Sequence, residues 1–476
     1  MAASYQSAIA RMYALGHELA HTPSHKFDLA HMRVLLAALG RPEKKFRSVL
    51  IAGTNGKGST AATLASILQA SGLRTALYTS PHLMRINERI RINGEQISDD
   101  QFGLLHDVVD RTVERLMEDA ELPWHPSFFE MLTAIAFEYF ANNKVDIAVL
   151  EVGMGGRLDA TNVVDPLLSV ITDISLDHQK FLGNTIAEIA REKAGIIRPN
   201  GVLVTLPQTP EANDVIGRAA LEAGANAISA VPFVPPVSPA SPRLWNAAKS
   251  SSARREGTAF SRAESRTGEA ASAAEDTPLS RYPLQVLGSE IIVETSLVGR
   301  HQLRNVALAI AAAEQLTTYF PAITPDSIEH GIRATRWPGR FQVVPAQQGK
   351  PEFVFDVAHN PAGAWALRST LSSVYEDRKL VFVFGAMRDK AIREIAEILL
   401  PLGEQTIATR AENPRSATPE EITEAATRTG AEIEFAPDVP SAIRRACATT
   451  GSDGVIVVTG SIYVVGEAMQ ALGVPA

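Results

Sequence analysis

The sequence predicts an α/β fold of two domains, a larger one with a mostly parallel sheet followed by a smaller Rossmann-like α/β domain. Short β-branched segments alternate with longer segments in which apolar residues recur at helical spacing. The short segments show little alternation between apolar and polar residues, as in strands buried on both faces of a parallel sheet. The alternation stops at about Pro235 and a second series of strands begins after Arg340, which indicates a second, separate α/β domain.

The elements follow in order. The predicted strands of the first domain are residues 49–52, 75–78, 147–152, 168–172 and 201–205, with helices such as 128–140, 185–194 and the alanine-rich 302–315. Those of the second domain are residues 353–357, 380–384, 405–408 and 454–458. Pro338 and Gly339 mark a hinge, so we expect domains at 1–335 and 343–476 with a linker at 336–342.

One stretch of the first domain lacks the composition of a folded core. Between residues 246 and 278 the only large apolar residue is Phe260, and Ala, Ser, Arg and Glu dominate. Such a segment cannot bury enough apolar surface to offset the entropy lost on ordering. The sequence therefore predicts a surface insertion at about 236–282 that is flexible or loosely helical and has no catalytic role.

Composition narrows the class of protein. The chain has 476 residues, 45% of them hydrophobic, and a net charge of −8, which argues against a nucleic-acid-binding surface. No stretch approaches the ~20 apolar residues of a spanning helix, and the first residues lack the apolar core of a signal peptide. The single cysteine, Cys447, excludes an intramolecular disulfide and a cysteine metal cluster. We expect a soluble cytoplasmic protein that binds neither nucleic acid nor membrane.

Residues 51–60, IAGTNGKGST, form a glycine-rich turn between a predicted strand and a predicted helix. Such a turn cradles phosphates with main-chain N–H groups, while its lysine reaches the β/γ phosphates and a hydroxyl binds Mg²⁺. The spacing departs from G-x-x-x-x-G-K-[ST], because Gly53 lies three residues before Gly56 and Gly58 separates Lys57 from Ser59. The turn predicts a nucleoside triphosphate site of a distinct subtype, in a P-loop-type first domain.

Position alone does not fix the role of three further residues. Glu151 ends a buried strand, where a carboxylate can hold Mg²⁺ against phosphates or be a solvated strand-end acid. His178 follows another strand and is a metal ligand, a base or a hydrogen-bonded loop residue. Lys193 lies near a helix C-terminus, where a solvated lysine suits the helix dipole.

These motifs occur together with others along nearly the whole chain. They are GTNGKGS (53–59), SPHLMRINERI (80–90), EVGMGGRLDATN (151–162), DHQKFLG (177–183), EKAGII (192–197), HQLRNVALAIAAAE (301–314), RWPGRFQ (336–342), FDVAHNP (355–361), FGAMRDK (384–390), NPR (413–415) and TGSIYVVGEA (459–468). In these motifs the chain resembles the folylpolyglutamate synthase/dihydrofolate synthase family of the Mur ligase superfamily. Only the predicted insertion lies outside the resemblance.

The resemblance implies an ADP-forming ligase of folate biosynthesis and one-carbon metabolism. Such enzymes join L-glutamate to dihydropteroate, to a reduced folate such as tetrahydrofolate, or to both. A carboxylate is a poor electrophile, so ATP first converts it to an acyl phosphate, which the glutamate amine attacks. Both steps build negative charge, and the site therefore needs cations and oriented donors. The family also implies a monomer with its active site in the cleft between the two domains.

The resemblance assigns the nucleotide and metal residues. The expected ATP-binding residues are Gly53, Thr54, Asn55, Gly56, Lys57, Gly58, Ser59, Thr60, Asn305 near the adenine, Arg340 near the γ-phosphate and Asp356 at the ribose. One Mg²⁺ is expected at Ser59 (or Thr60) and Glu151, and a second at Glu151, His178 and Lys193. Because an ammonium cannot bind a cation, the family implies a carbamylated Lys193 with oxygen ligands. The expected catalytic residues are Lys57, Glu151, His178, Lys193 and Arg340.

The substrate residues are also assigned by resemblance. His359 and Ser461 are expected to hold the incoming glutamate. Ser80, Pro81, His82 and Arg85 belong to a loop beside the phosphate site where the pterin-bearing substrate is expected. Position alone leaves plainer interpretations open, with Asn305 a polar helix residue, Asp356 a strand-end cap and Ser461 a turn hydroxyl.

The chain departs from the family pattern in two places, and two other functions compete with the one that the resemblance implies. The insertion is long for the family, and Asp173 stands where related ligases often have asparagine. A Mur-type cell-wall ligase is disfavoured by Gly58 and by residues 80–90. A P-loop regulatory ATPase leaves Asp356, His359 and Ser461 without a role. The sequence does not decide between dihydropteroate and reduced folates.

Overall fold

The computed structural model describes residues 4–16, 29–236, 278–347, 350–451 and 453–475. They belong to two compact units. The first comprises Met1–Val234, Gln285–Ile291 and Arg304–Thr335, and the second comprises Pro235–Leu284, Ile292–Leu303 and Arg336–Ala476. The predicted insertion lies outside the described residues except at its ends, and there a strand begins at Ser280, inside the predicted bounds of 236–282.

The first unit is built on an eight-stranded sheet with the order β4-β3-β2-β5-β1-β6-β7-β8. The strands from β2 to β8 in this order pair in parallel, and β3 and β4 pair antiparallel at one edge. Their bounds are β1 Arg47–Ala52, β2 Thr75–Tyr78, β3 Ile90–Ile92, β4 Glu95–Gln96, β5 Ile147–Glu151, β6 Leu168–Ile171, β7 Val202–Thr205 and β8 Asn226–Ser229. A separate two-stranded sheet pairs β9 (Ser280–Val286) with β10 (Ser289–Thr295).

Some of the helices of this unit begin at capping boxes. Ser127 and Glu130 form a capping box at the start of one, and Thr185 and Glu188 form another. Their apolar faces cover a core that includes Tyr78, Phe137 and Phe140. The helices are α1 Tyr5–Ala14, α2 Leu29–Ala38, α3 Lys57–Ala70, α4 Asp99–Glu118, α5 Phe128–Asn142, α6 Gln179–Leu182, α7 Ile186–Ala194, α8 Pro210–Glu222, α9 Arg300–Leu316 and α10 Pro325–Ala334.

The second unit contains a six-stranded sheet with the order β11-β12-β16-β13-β14-β15, parallel except for β11. The strands are β11 Gln342–Val344, β12 Glu352–Phe355, β13 Leu380–Phe384, β14 Gln405–Ala408, β15 Ile433–Phe435 and β16 Val455–Thr459. The helices are α11 Pro361–Val374, α12 Ile392–Leu399, α13 Pro419–Ala425, α14 Val439–Thr449 and α15 Ile462–Leu472. Every residue of β13 and β16 is buried, as their apolar sequences predict.

The predicted α/β class with two mainly parallel sheets is confirmed. Each predicted strand is present with ends shifted by at most two residues, whereas short edge strands such as β4 and β8 were not predicted. Those strands are largely polar and exposed, so they lack the apolar run that identifies a buried strand. In the described ranges no helix is long and apolar enough to cross a membrane.

Candidate active site

Three segments of the first unit that carry predicted site residues lie at one edge of its sheet. Strand β1 pairs in parallel with β5 on one side and β6 on the other, with Ile51 opposite Glu151 and Val170. The carboxyl ends of parallel strands share an edge, and open α/β sheets bind ligands there. The phosphate loop after β1, the acid ending β5 and the segment after β6 are therefore neighbours.

The phosphate loop (residues 53–56) needs glycine at both ends. Gly53 has φ of 153°, and a Cβ there would lie 1.8 Å from Thr172 Oγ1. Gly56 has φ of 88°, and a Cβ there would lie 2.2 Å from Asn305 Oδ1. Asn305, expected at the adenine, thus lies against the phosphate loop itself. Both the backbone conformation and the close packing exclude a larger residue.

Main-chain hydrogen bonds tie this loop to the segment after β6. The N–H groups of Thr54 and Asn55 donate to the Asp173 carbonyl at 2.8 and 3.2 Å. The Thr172 hydroxyl donates to the Asn55 carbonyl at 2.7 Å, and the Thr54 hydroxyl donates to the Ser175 carbonyl at 3.0 Å. The N–H groups of residues 54 and 55 are thus occupied by the fold.

The donors that remain for an anion lie in the first turn of α3. The first N–H groups of a helix have no intrahelical acceptor, which here concerns Lys57, Gly58 and Ser59. The first bond of the turn runs from the Thr60 N–H to the Gly56 carbonyl at 2.9 Å. The helix N-terminus also carries partial positive charge, so this turn suits a phosphate.

A lysine and a carboxylate face each other beside this turn. Lys57 Nζ lies 4.0 Å from Glu151 Oε1 and donates to the Thr54 carbonyl at 3.3 Å. Glu151 is only 4% exposed, and its Oε2 accepts a hydrogen bond from the Ser80 N–H at 3.2 Å. The Ser80–Pro81 peptide bond is cis. The structure therefore places the predicted Lys57, Glu151 and Ser80 together.

Lys193 is not the solvated residue that its position on α7 favours. It is 4% exposed, and its Nζ donates to the Gly53 carbonyl at 2.8 Å. Burial, followed by the nearby charge of Lys57, lowers the pKa of Lys193 to about 7, while Asp177 and Asp159 act in the opposite direction. A substantial fraction of the amine is therefore neutral near physiological pH.

The remaining predicted metal residues are placed as follows. His178 adopts a left-handed conformation with φ of 51°, and its Nε2 lies 3.9 Å from Asp177 Oδ2. Ser59 is buried, and the Thr60 hydroxyl is enclosed without a hydrogen-bond partner. Among the residues described, no three His, Cys, Asp or Glu side chains are grouped as a metal site.

The loop of residues 80–90 is held by contacts that the sequence did not reveal. Glu88 accepts hydrogen bonds from the N–H groups of Leu83, Met84 and Arg85 at 2.6–2.9 Å. Arg89 Nε donates to His82 Nδ1 at 2.8 Å, and the Tyr13 hydroxyl of α1 lies 3.5 Å from His82 Nε2. The Glu88 contacts involve main-chain N–H groups and the Tyr13 contact joins residues 69 apart in the sequence, so residue spacing does not indicate them.

The loop is also anchored at Arg85. Its guanidinium pairs with Asp99 at 2.5 Å and lies over the Tyr5 ring at 5.6 Å. The side chain of Arg85 is 51% exposed, so it faces solvent along one side. The loop therefore combines fixed main-chain geometry with polar groups at its surface.

In the second unit the predicted residues cluster around the end of β12. The Asp356 carboxylate accepts the N–H groups of Phe341 and Ala358, both at 2.9 Å. Burial raises its pKa, an effect that the Arg340 charge opposes. His359 Nδ1 lies 2.8 Å from the Val357 carbonyl.

Ser461 begins helix α15. Its hydroxyl accepts the Tyr463 N–H at 3.2 Å, and the residue is 1% exposed. Ser461 is therefore a helix N-cap in this structure, whatever else it binds.

Comparison with known proteins identifies the family. Residues 339–462 match the Mur ligase, glutamate ligase domain. The dihydrofolate synthase/folylpolyglutamate synthase of Bacillus subtilis is 35% identical over 94% of this chain and 95% of its own length. The folylpolyglutamate synthase of Lacticaseibacillus casei is 32% identical over 98% of this chain and 99% of its own.

Solved structures of folylpolyglutamate synthases are similar to this protein over nearly its full length. The apo form of L. casei FPGS has a TM-score of 0.77 at 30% identity, covering 99% of this chain and 100% of its own. Mycobacterium tuberculosis folylpolyglutamate synthase complexed with ADP has a TM-score of 0.76 at 30% identity, covering 98% and 99%. With such identity over nearly the full length of both chains, this protein belongs to the folylpolyglutamate synthase/dihydrofolate synthase family.

Proposed function

We propose that this protein is an ATP-dependent, ADP-forming ligase that joins L-glutamate to a folate-type carboxylate, either dihydropteroate, a reduced folate, or both. Family membership supports the reaction class, and the solved structure of E. coli FolC is a complex with DHPP and ADP. The observation that carries the proposal is the juxtaposition of Lys57, Glu151 and Lys193 around one glycine-rich loop.

The reaction has two steps whose charges match these residues. A carboxylate oxygen of the folate attacks the γ-phosphorus of ATP, the bond to the bridging oxygen breaks, and ADP leaves. The glutamate amine then attacks the acyl carbon, phosphate leaves, and the amine nitrogen loses protons. We assign Lys57 and the first turn of α3 to the β/γ phosphates, and Arg340 to the γ-phosphate. Their positive charge and N–H groups stabilise the negative charge of both steps.

The donor set fits Mg²⁺, because Glu151 and Ser59 provide the oxygen ligands that this ion prefers. Thr60, whose enclosed hydroxyl has no hydrogen-bond partner, is the alternative to Ser59. When bound, Mg²⁺ would neutralise phosphate charge. We assign a second ion to Glu151, His178 and a carbamylated Lys193.

Carbamylation of Lys193 is chemically consistent with its surroundings. A neutral amine attacks CO₂, a C–N bond forms, and one proton is lost to give a carbamate anion. The lowered pKa of Lys193, about 7, makes the neutral amine available. The carbamate nitrogen keeps one N–H, which can continue to donate to the Gly53 carbonyl.

The substrate assignments rest on the family resemblance. We assign Ser80, Pro81, His82 and Arg85 to the folate substrate, and His359 and Ser461 to glutamate. Asp356 is assigned to the ribose and Asn305 to the nucleotide. We further propose a monomer that acts in the cytoplasm, which sedimentation and cell fractionation would test.

A coupled assay tests the function directly. Purified protein with ATP, Mg²⁺ and L-glutamate should release ADP with dihydropteroate, with tetrahydrofolate, or with both. Lys57→Ala should remove nearly all turnover with an unchanged circular dichroism spectrum, whereas Lys44→Ala, on an exposed residue, should not. Absence of ADP release with both folate substrates, or turnover only with a UDP-sugar peptide, contradicts the proposal.

A further inference from the structure

The main-chain carbonyl of Asp173 fixes two consecutive residues of the phosphate loop. It accepts the N–H groups of Thr54 and Asn55, and Asn55 and Asp173 form an isolated β-bridge. The direction in which the Asp173 carbonyl points therefore sets the path of the loop just before Gly56 and Lys57.

The side chain of Asp173 is held by Arg304 of α9. Arg304 Nη2 lies 2.6 Å from Oδ1, and Nε lies 3.2 Å from Oδ2, so the contact is bidentate. The guanidinium also donates to the Pro207 carbonyl at 3.1 Å. A bidentate pair fixes orientation as well as distance.

The exposure of this pair argues against a mainly stabilising role. The side chains of Arg304 and Asp173 are 30% and 36% exposed. Ion pairs with such solvent access contribute only ~0–1 kcal/mol to stability. The pair instead fixes the orientation of Asp173, whose main-chain carbonyl contacts the phosphate loop directly.

The same turn of α9 contacts the other end of the loop. Asn305, adjacent to Arg304, packs so closely on Gly56 that a Cβ would lie 2.2 Å from its Oδ1. Two neighbouring residues of one helix thus hold the loop, Arg304 through Asp173 and Asn305 at Gly56.

A second contact keeps the neighbouring backbone in place without the pair. Gln208 Nε2 donates to the Thr172 carbonyl at 3.1 Å, and its Oε1 accepts the Ile174 N–H at 3.0 Å. Removing the ion pair should therefore leave the end of β6 folded and free only the orientation of Asp173.

We propose that Asp173 and Arg304 are positioning residues for ATP. They act through the Asp173 carbonyl, which sets the path of the phosphate loop and with it the orientation of Lys57. The inference rests on the proposed ATP-dependent function. It also gives Asp173, which stands where related ligases often have asparagine, a partner in Arg304. A displacement of ~1 Å in a group that contacts the reacting phosphates can lower turnover by up to ~100-fold.

A double-mutant cycle tests the proposal. The variants are Asp173→Ala, Arg304→Ala and the combination, with Arg304→Lys as the conservative change. We expect each alanine variant to raise the ADP dissociation constant and the ATP KM about 5- to 20-fold and to lower kcat, with the glutamate KM unchanged within twofold. The double variant should be no worse than either single one, because the pair acts as a unit. Arg304→Lys keeps the charge without the planar fork and should be intermediate.

The matched control is the pair Asp214 and Arg218 on α8, in the same unit, 2.8 Å apart and exposed. Asp214→Ala and Arg218→Ala should leave nucleotide binding unchanged. ADP affinity and ATP KM within twofold of wild type in all Asp173 and Arg304 variants would overturn the proposal, as would additive losses in the double variant. ADP binding needs no folate or glutamate, so it tests the pair even if the proposed ligase reaction fails.

Discussion

The ammonium of Lys193 donates a 2.8 Å hydrogen bond to the main-chain carbonyl of Gly53, which joins the last turn of α7 to the first residue of the phosphate loop. The loop after β5 packs closely on the same turn of α7, since a Cβ at Gly156 would lie 2.6 Å from the Glu192 carbonyl. A charged amine buried here donates to the Gly53 carbonyl and has Lys57 as a repelling neighbour. This location has consequences for stability and for catalysis.

We expect Lys193 to make folding stability depend on pH. Its pKa is lowered to about 7 from an ordinary 10.5. Below pH 7 the amine is protonated in both states and the folded state bears the cost of a buried charge. Between pH 7 and 10.5 the unfolded state binds more protons, so stability should rise with pH. One pKa unit corresponds to about 1.4 kcal/mol, so the total effect is a few kcal/mol.

Denaturant titration of wild type and Lys193→Met in carbonate-free buffer at pH 6.5, 8 and 9.5 measures this. The stability of wild type relative to the methionine variant should increase across the series. A difference that stays constant with pH would show that Lys193 is not held with a lowered pKa.

We expect catalysis to depend on the carbamate group of a carbamylated Lys193. Lys193→Ala should lower turnover by at least ~100-fold, as for loss of one group that stabilises the transition state. If the working group is a carbamate, acetate added to the alanine variant should restore part of the turnover, since it supplies carboxylate oxygens in the vacated space. Steady-state rates with and without acetate, with added chloride as the control, decide this. Recovery with both anions, or with neither, would contradict a carbamate.

Gly56 should be more sensitive to substitution than its backbone conformation alone requires. Gly56 and Gly72 have similar φ values of 88° and 81°, but a Cβ at Gly72 meets nothing within 4 Å. Gly72→Ala should cost about 1–2 kcal/mol from the left-handed conformation and leave ADP binding intact. Gly56→Ala adds the overlap with Asn305 and should also abolish ADP binding.

The test is ADP titration of both glycine variants, together with their thermal midpoints. Adding Asn305→Ala to Gly56→Ala removes the overlapping amide and should recover part of the lost stability. Equal losses for Gly56→Ala and Gly72→Ala would show that the contact with Asn305 carries no weight.

Asp356 should discriminate nucleotides by their ribose. Its two carboxylate oxygens each accept one main-chain N–H, which leaves lone pairs for ribose hydroxyls. Asp356→Asn should raise the KM for ATP about tenfold and remove the preference for ATP over 2′,3′-dideoxy-ATP, because the amide replaces one acceptor by a donor. Steady-state kinetics with both nucleotides measure the preference. A preference that survives in the variant would remove Asp356 from the ribose site.

The sequence predicted the parts of this fold that are buried. Continuous apolar segments such as 380–384 identify central strands because both faces are covered. The edge strand β8 carries polar, exposed residues and leaves no such pattern. At the site, motifs indicated Lys57 and Glu151, whose side chains carry the chemistry. The contact of Asp173 with the loop uses a main-chain carbonyl, which residue type does not encode, and Arg304 lies 131 residues from Asp173 in the sequence, so no local pattern links the two.

Ser461 has a structural contact and an assigned substrate role, and the two can be separated. Its hydroxyl caps α15, so Ser461→Ala should cost about 1 kcal/mol of stability. If it also holds glutamate, the variant should raise the glutamate KM about tenfold and leave the ATP KM unchanged. Asp438 caps α14 in the same way, accepting the Ser441 N–H at 2.7 Å. Asp438→Ala should lose similar stability and keep the glutamate KM, because a cap at another helix does not alter the substrate site. If the two variants have the same glutamate KM, Ser461 acts only as a helix cap. If the glutamate KM rises in Ser461→Ala alone, Ser461 also binds glutamate.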